Sequence, residues 1–277
     1  MEQTSAPDPA CGRVVLITGA GRGIGRACAL EFARAGYAVA VAARTPQEVA
    51  ETRRLVLDAG GRACAVPADI TDPEAARELA GRVAAELGPV DVLVNNAAYA
   101  GTMQPFWETG LDQWRRCLAT NVIGPVNLIT AVLPSMRERG RGHIINMNSL
   151  QGSDPAGSPL PYGVSKAALI RLTDGLAGQL AGSGVIVVDL SPGLVRTRMT
   201  SGRPDLDALP ERAWAPPEDA ARQAVALASG RYDALHGRFV RALDDLDALC
   251  ARVAGQPEAR TLRLIARQPA TAEAPAT

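Results

Sequence analysis

The chain has 277 residues, 47% of them hydrophobic and 21% charged, enough apolar matter for one large core or two small ones. Acidic and basic residues balance at 29 each, and no Lys/Arg-rich run points to a nucleic-acid surface. The five cysteines (Cys11, Cys28, Cys64, Cys117, Cys250) are scattered without CxxC spacing and the two histidines lie far apart, so neither a disulfide framework nor a metal site is expected.

Residues 1–12 are polar, lack an apolar signal core and read as a disordered leader. RVVLIT (13–18) is a β-branched apolar run, as a buried parallel strand requires. It enters Gly19-Ala20-Gly21-Arg22-Gly23-Ile24-Gly25 and then the helical RACALEFARAG. YAVAVAAR (37–44) reads as a strand, PQEVAETRRLVLDAG as a helix ending at Gly60, and RACAVPAD (62–69) as a strand. A helix over 73–88 opens with Asp72 as N-cap and Pro73 at the first helical position. A strand follows at 90–97, a long helix from Leu111 to Met136, a strand at 142–149, a helix at 162–181 and a strand at 185–193. Residues 194–215 combine charge and proline with few apolar anchors and read as a mobile lid. A helix at 217–229 and a last strand at 237–242 complete the pattern; 268–277 reads as a disordered tail. About seven strands alternating with helices imply one parallel sheet covered on both faces, in a single domain over 13–267. No apolar stretch approaches 18 residues, so no membrane-spanning helix is expected, and cytoplasmic is the default location.

Two local patterns carry chemistry. Tyr162 and Lys166 are four residues apart on one helix face, so a phenol and an ammonium can share a space. A nearby positive charge favours the phenolate and makes the pair a proton donor and acceptor. Lys166 is the only lysine in the chain; every other Lys/Arg position is arginine. A site needing a compact point charge could not accept the wide arginine fork. The second pattern is the glycine turn between the first strand and helix, where backbone N–H groups and a helix N-terminus can approach a pyrophosphate. The second strand ends in Ala43-Arg44-Thr45 with no carboxylate, and Arg22 lies in the glycine turn. Two guanidiniums there favour the 2′-phosphate of NADP(H) over the free hydroxyl of NAD(H), which remains possible.

With these pieces in place, the chain resembles the short-chain dehydrogenase/reductase family in its single-domain subtype. The matching residues are Thr18 to Gly25, Asp69, Asn95-Asn96-Ala97-Ala98, Asn121, Ser149, Tyr162 to Lys166, Ser191-Pro192-Gly193 and Thr197, in the family's order across 13–200. Ala98 departs from the glycine usual in Asn-Asn-Ala-Gly. Three prolines (Pro155, Pro159, Pro161) between Ser149 and Tyr162 suggest a stiffened loop, and the stretch beyond Leu246 has no counterpart. The resemblance implies a Rossmann-like doubly wound parallel sheet and hydride transfer between nicotinamide and a carbonyl or secondary alcohol. It implies Tyr162 as proton donor and acceptor, Lys166 lowering the phenol pKa and binding the nicotinamide ribose, Ser149 on the reacting oxygen, and Asn121 holding a relay water. Gly19, Arg22, Gly23, Ile24, Gly25, Arg44, Thr45, Asp69, Ile70, Asn95, Ala97, Tyr162, Lys166, Pro192, Gly193, Val195 and Thr197 are the expected cofactor contacts. Ser149, Gln151 and Tyr162 are the expected substrate contacts, with Tyr99, Trp107, Leu194 and Met199 as candidates from loops beyond strand ends. Small-molecule substrates are expected as partners, with no nucleic acid and no membrane. A homodimer or homotetramer through the helices at 111–136 and 162–181 is also implied. Two other readings stay open: an NAD-linked alcohol dehydrogenase of the same family, and a non-catalytic nucleotide-binding protein on this fold.

Overall fold

The computed structural model describes residues 12–154 and 159–261; Pro155, the limit at 267, the tail at 268–277 and all but Gly12 of the leader lie outside them. Seven strands form one all-parallel sheet: β1 (Val14–Thr18), β2 (Ala38–Ala43), β3 (Arg62–Pro67), β4 (Val90–Asn95), β5 (Gly142–Met147), β6 (Val185–Ser191) and β7 (Phe239–Arg241). Their order is β3-β2-β1-β4-β5-β6-β7. The chain reverses its direction of winding between β1 and β4, and the crevice outside the carboxyl ends of those strands is where such sheets take ligands.

The helices between strands are α1 (Gly23–Arg34), α2 (Pro46–Asp58), α3 (Pro73–Glu86), α4 (Leu111–Leu118), α5 (Gly124–Glu138) and α6 (Leu160–Leu180). A four-residue α7 (Pro204–Asp207), then α8 (Pro217–Ala228) and α9 (Leu246–Gly255), follow β6 and β7. Asp72 caps α3 as expected, its carboxylate accepting from Glu74 N–H at 2.9 Å. Two apolar layers cover the sheet. One packs α1, α8 and α9 on residues such as Val15, Val39, Val94 and Leu190. The other packs α3, α5 and α6 on Leu16, Leu93, Ile144 and Val187. Residues of one strand alternate between the layers, as the pleat requires.

Two local expectations are corrected, and one stretch left without a reading gains a helix. Strands β4, β5 and β6 stop at Asn95, Met147 and Ser191, two residues short of the expected ends. The chain leaves the ladder there: Asn96 N–H turns to Thr18 Oγ1 at 3.0 Å. Two of the three prolines lie at a helix start rather than in a loop, Pro159 as N-cap residue and Pro161 in the first turn of α6. The stretch after Leu246 is helical, begun by Asp245 accepting from Ala248 N–H at 3.0 Å and seated by Leu246, Leu249 and Val253.

The long helix from Leu111 runs on to Glu138 and is interrupted by a π-helical turn at Ala119–Ile123. Contrary to expectation, this stretch is long enough, and an 18-residue window of it apolar enough, with a mean hydropathy of 1.5, to cross a membrane. Its charged residues, Asp112, Arg115 and Arg116 near the start and Arg137 and Glu138 at the end, leave an apolar middle, and it packs against α3, β4 and α6. The 194–215 segment is tied at its base, where Val195 pairs with Ala215 in a parallel bridge and is 3% exposed.

Candidate active site

The site is assembled where β1, β4, β5 and β6 end. Ser149 follows β5 and caps a 3₁₀ turn (Leu150–Gly152), its Oγ accepting from Gln151 N–H at 3.2 Å. That turn lies directly on α6: a Cβ on Gly152 would stand 2.7 Å from the carbonyl carbon of Lys166. The contact sets Ser149 beside the first turn of α6, and its hydroxyl hydrogen-bonds the Tyr162 phenol. Lys166, one turn further along, is 3% exposed and donates from Nζ to Met147 O at 2.6 Å. Its Nζ is 5.6 Å from the Tyr162 ring centre. Serine, phenol and amine therefore meet as the sequence predicts.

Their electrostatics differ from the expectation. Burial pushes the Tyr162 phenol up to about 12; the Ser149 hydrogen bond pulls the other way. Burial also pushes the Lys166 amine down to about 8, opposed by the charge of Asp189. In the protein alone, desolvation of the phenol outweighs the Ser149 hydrogen bond, and the phenol stays above its ordinary value.

Asn121 sits in the π turn of the long helix, 1% exposed. Such turns widen a helix and recur at functional sites. Its side chain accepts from Tyr99 N–H (2.8 Å) and donates to Tyr99 O (2.9 Å) and Ser165 Oγ (2.8 Å). It thus locks the loop after β4 to α6. The Tyr99 ring lies under the Arg116 guanidinium at 4.2 Å. Trp107 is 82% exposed, Met199 is exposed and Leu194 half-buried.

The glycine turn is held from β4. Asn96 Nδ2 donates to Thr18 O (2.8 Å), and Thr18 Oγ1 accepts from Asn96 N–H and Ala97 N–H (both 3.0 Å). Gly19 has φ 61°, and a Cβ on Gly25 would lie 2.5 Å from Gly19 O, so the turn closes only with glycine at both places. Helix α1 starts with Arg22 as N-cap residue, with no side-chain cap and no acid in its first turn. Its terminal N–H groups are left to a ligand, and an anion suits them.

A cavity of about 340 Å³ lies at the ends of β6 and β7, lined by Leu150, Pro192, Ala215, Ala242 and Leu243 together with Arg241 and Asp244.

The chain has known relatives. The short chain dehydrogenase family model matches residues 13–206. The chain belongs to the short-chain dehydrogenase/reductase family. A short chain dehydrogenase of Pseudocercospora fijiensis is 35% identical over 255 residues, covering 85% of this chain and 81% of that protein. Among solved structures, a candidate NAD(P)-dependent gluconate 5-dehydrogenase from Beutenbergia cavernae, with NADP bound at low occupancy, superposes with a TM-score of 0.79 at 37% identity. The match covers 86% of this chain and 97% of that one. A 7α-hydroxysteroid dehydrogenase, complexed with NADH and 7-oxo glycochenodeoxycholic acid, gives 0.78 at 30% identity, covering 86% and 96%. This short-chain dehydrogenase/reductase is accordingly an NAD(P)-dependent oxidoreductase, and its uncapped α1 and glycine-closed turn fit a dinucleotide.

The remaining expected contacts divide. Arg44, Thr45, Asp69 and Gly193 are exposed along the crevice side of the sheet, and Gly23, Ile24, Ala97, Pro192 and Thr197 are partly so. Asp69 Oδ1 accepts from Thr71 N–H at 3.0 Å. Asn95, Ile70 and Val195 turn their side chains inward: Asn95 Nδ2 donates to Asn146 at 2.9 Å, and Ile70 packs where a Gly124 side chain would be. Any contact of theirs with a cofactor is left to the backbone. Four residues that sequence reasoning passed over also matter. Asn96 holds the glycine turn and Gly152 seats the 3₁₀ turn. Asn148 Oδ1 accepts from Ser149 N–H at 2.8 Å. Glu48 Oε1 accepts from Arg22 (2.5 Å) and Arg198 (3.3 Å). The two histidines are structural: His143 pairs with Asp233 at 2.9 Å, and His236 bridges Val187 N–H and Ala177 O.

Proposed function

We propose that this enzyme is an NADP(H)-dependent carbonyl reductase acting on compact ketones with apolar flanks, or on the matching secondary alcohols. The observation that carries the reading is the meeting of Ser149, Tyr162 and Lys166; the apolar 340 Å³ cavity, which Leu150 next to Ser149 helps to line, supports the choice of apolar flanks. When bound, the nicotinamide supplies or takes the hydride. Everything else falls to the chain. Ser149 Oγ and Tyr162 Oη stabilise the charge growing on the carbonyl oxygen, and Tyr162 Oη delivers the proton. A phenol held near 12 is fully protonated at neutral pH, which suits the reductive direction. Lys166 keeps a positive charge behind the phenol, and Asn121 fixes the loop that faces it across α6. Gly19 to Gly25 and the start of α1 would hold the pyrophosphate, Asp69 the adenine edge, and Val195 to Thr197 the carboxamide end. Arg22, Arg44 and Thr45 would meet the 2′ substituent of the adenosine ribose. Ser149, Gln151 and Tyr162 would meet the substrate.

NADP(H) preference rests on Arg44, exposed and in no ion pair among the described residues, and on Arg22. The NAD-linked reading keeps one specific support, the Glu48 carboxylate that already pairs with Arg22. Self-association is proposed through the Leu111–Glu138 helix and α6, where Ile123, Leu160 and Val164 are exposed; a monomeric mass in light scattering would refute it. The test of the whole reading is NADPH consumption over a panel of ketones, sugars, steroids and acyl thioesters, with Tyr162→Phe as control. The variant should bind NADPH normally and lose about 10²–10⁴-fold in rate. Wild-type turnover by the phenylalanine variant would overturn the assigned roles.

A further inference from the structure

One buried acid at this site has no part in the scheme above. Asp189, on β6, is 1% exposed. A carboxylate in a strand covered on both faces is costly unless partnered. Its partners lead to the catalytic groups. Asp189 Oδ1 accepts from Asn148 Nδ2 and from Thr173 Oγ1, both at 2.9 Å. Asn148 in turn holds Ser149 N–H at 2.8 Å. Thr173 lies seven residues beyond Lys166, two turns along the buried face of α6. Lys166 itself is anchored to Met147 O on β5, which pairs with β6 next to Asp189.

We propose that Asp189 is a positioning residue of the reductase site: through Asn148 it fixes the turn that aims Ser149, and as the buried carboxylate on the strand next to the one that anchors Lys166 it favours the ammonium form of that amine. The proposal rests on the reductase reading only for its consequence in catalysis.

The charges around the pair support it. Burial pushes Lys166 down to about 8 and Asp189 up to about 7, and each group's charge opposes the shift of the other. The other titratable groups facing Lys166 are Tyr162 on α6 and Cys117 on α4, whose thiol burial pushes up to about 11 and keeps neutral. From β7, on the far side of β6, the charged side chain of Arg241 is turned to Asp244 at 3.4 Å. Among these groups, Asp189 alone can supply a negative charge that acts on the lysine near neutral pH.

The chain's single lysine makes the test direct. Full-length protein grown with ¹³Cε-lysine gives one side-chain signal, and no substrate is needed. In the wild type this signal should titrate near pH 8, with an earlier inflection near 7 as Asp189 ionises. In Asp189→Asn, which keeps the acceptor but removes the charge, the midpoint should fall by about one unit or more. In Asp189→Ala, which removes the acceptor too, the Ser149 amide should lose about tenfold in hydrogen-exchange protection relative to Asp189→Asn. An unchanged midpoint in Asp189→Asn overturns the charge role, and equal Ser149 protection in the two variants overturns the aiming role. If the variants do not fold, a single wild-type step at or above pH 10 overturns the proposal by itself. Failure to bind NADPH, followed by its fluorescence, would sink the reductase reading while leaving these readouts to decide the role of Asp189.

Discussion

Gly152→Ala tests how closely Ser149, the proposed catalytic serine, is tied to the helix that carries Tyr162 and Lys166. A Cβ at this position would lie 2.7 Å from Lys166 C, 2.8 Å from Ala167 N and 2.9 Å from Lys166 O. All three atoms are α6 backbone, which cannot swing aside as a side chain tip can. Ordinary contact begins at 3.4 Å, so the 3₁₀ turn must retreat by at least 0.7 Å. Ser149 caps that turn and moves with it. Tyr162, in the first turn of α6, stays behind.

A misplacement on the order of 1 Å at a reacting group costs about 10²-fold in rate. Overpacking of this kind costs about 1–3 kcal/mol of stability. We expect Gly152→Ala to fold, to bind NADPH with near-normal affinity, and to lose about 10²-fold in kcat/KM for the best ketone of the panel. Its melting temperature should fall by several degrees. NADPH consumption, NADPH fluorescence and thermal melting read the three quantities separately. A variant with wild-type kcat/KM would show that the 3₁₀ turn does not set the position of Ser149, and the reasoning would fail at that point.

Two further outcomes are expected. Glu48→Gln should raise the preference for NADPH over NADH a few-fold in fluorescence titrations, because it frees Arg22 and Arg198 from a carboxylate that repels a 2′-phosphate. An unchanged ratio of dissociation constants would remove Glu48 from cofactor choice. The second concerns stability against pH. The Asp189 carboxyl is raised to about 7 from about 4 when unfolded, so between those values the folded chain holds a proton that the unfolded chain has released. Its contribution to stability is greatest below about pH 4 and is lost as pH rises to 7. Lys166 is lowered to about 8 from about 10.4 when unfolded, so stability rises again between those values. Urea midpoints of the wild type relative to Asp189→Asn should therefore decline from pH 5 to 7; a flat difference would refute the raised carboxyl.

The parts of this enzyme legible in its sequence are those fixed by short-range geometry. A glycine turn after an apolar run needs only neighbouring residues to be recognised, and the same holds for a phenol and a lysine one helical turn apart. The seven strands follow from alternation, because buried parallel strands must be continuously apolar. What stayed hidden depends on contacts between distant stretches. Glu48 meets Arg22 across the βαβ unit, and Gly152 meets the backbone of α6 only once β5 and α6 are side by side. Asn96 looked like part of a motif, yet its work is to bind Thr18 and Gly19 from the neighbouring strand. Helix α9 was missed although Leu246, Leu249 and Val253 recur at helical spacing behind an Asp245 cap. Asp189 left a sharper trace. In VIVVDLS it is a lone acid in a β-branched run, and a strand covered on both faces cannot keep such a group without partners. Asn148 and Thr173 are the partners such a residue demands, and Asn146, two residues before Asn148, joins them by donating to Thr173 Oγ1. A charged residue that breaks an otherwise apolar strand is therefore worth reading as the end of a polar chain, and here that chain runs through Asn148 to the backbone N–H of Ser149.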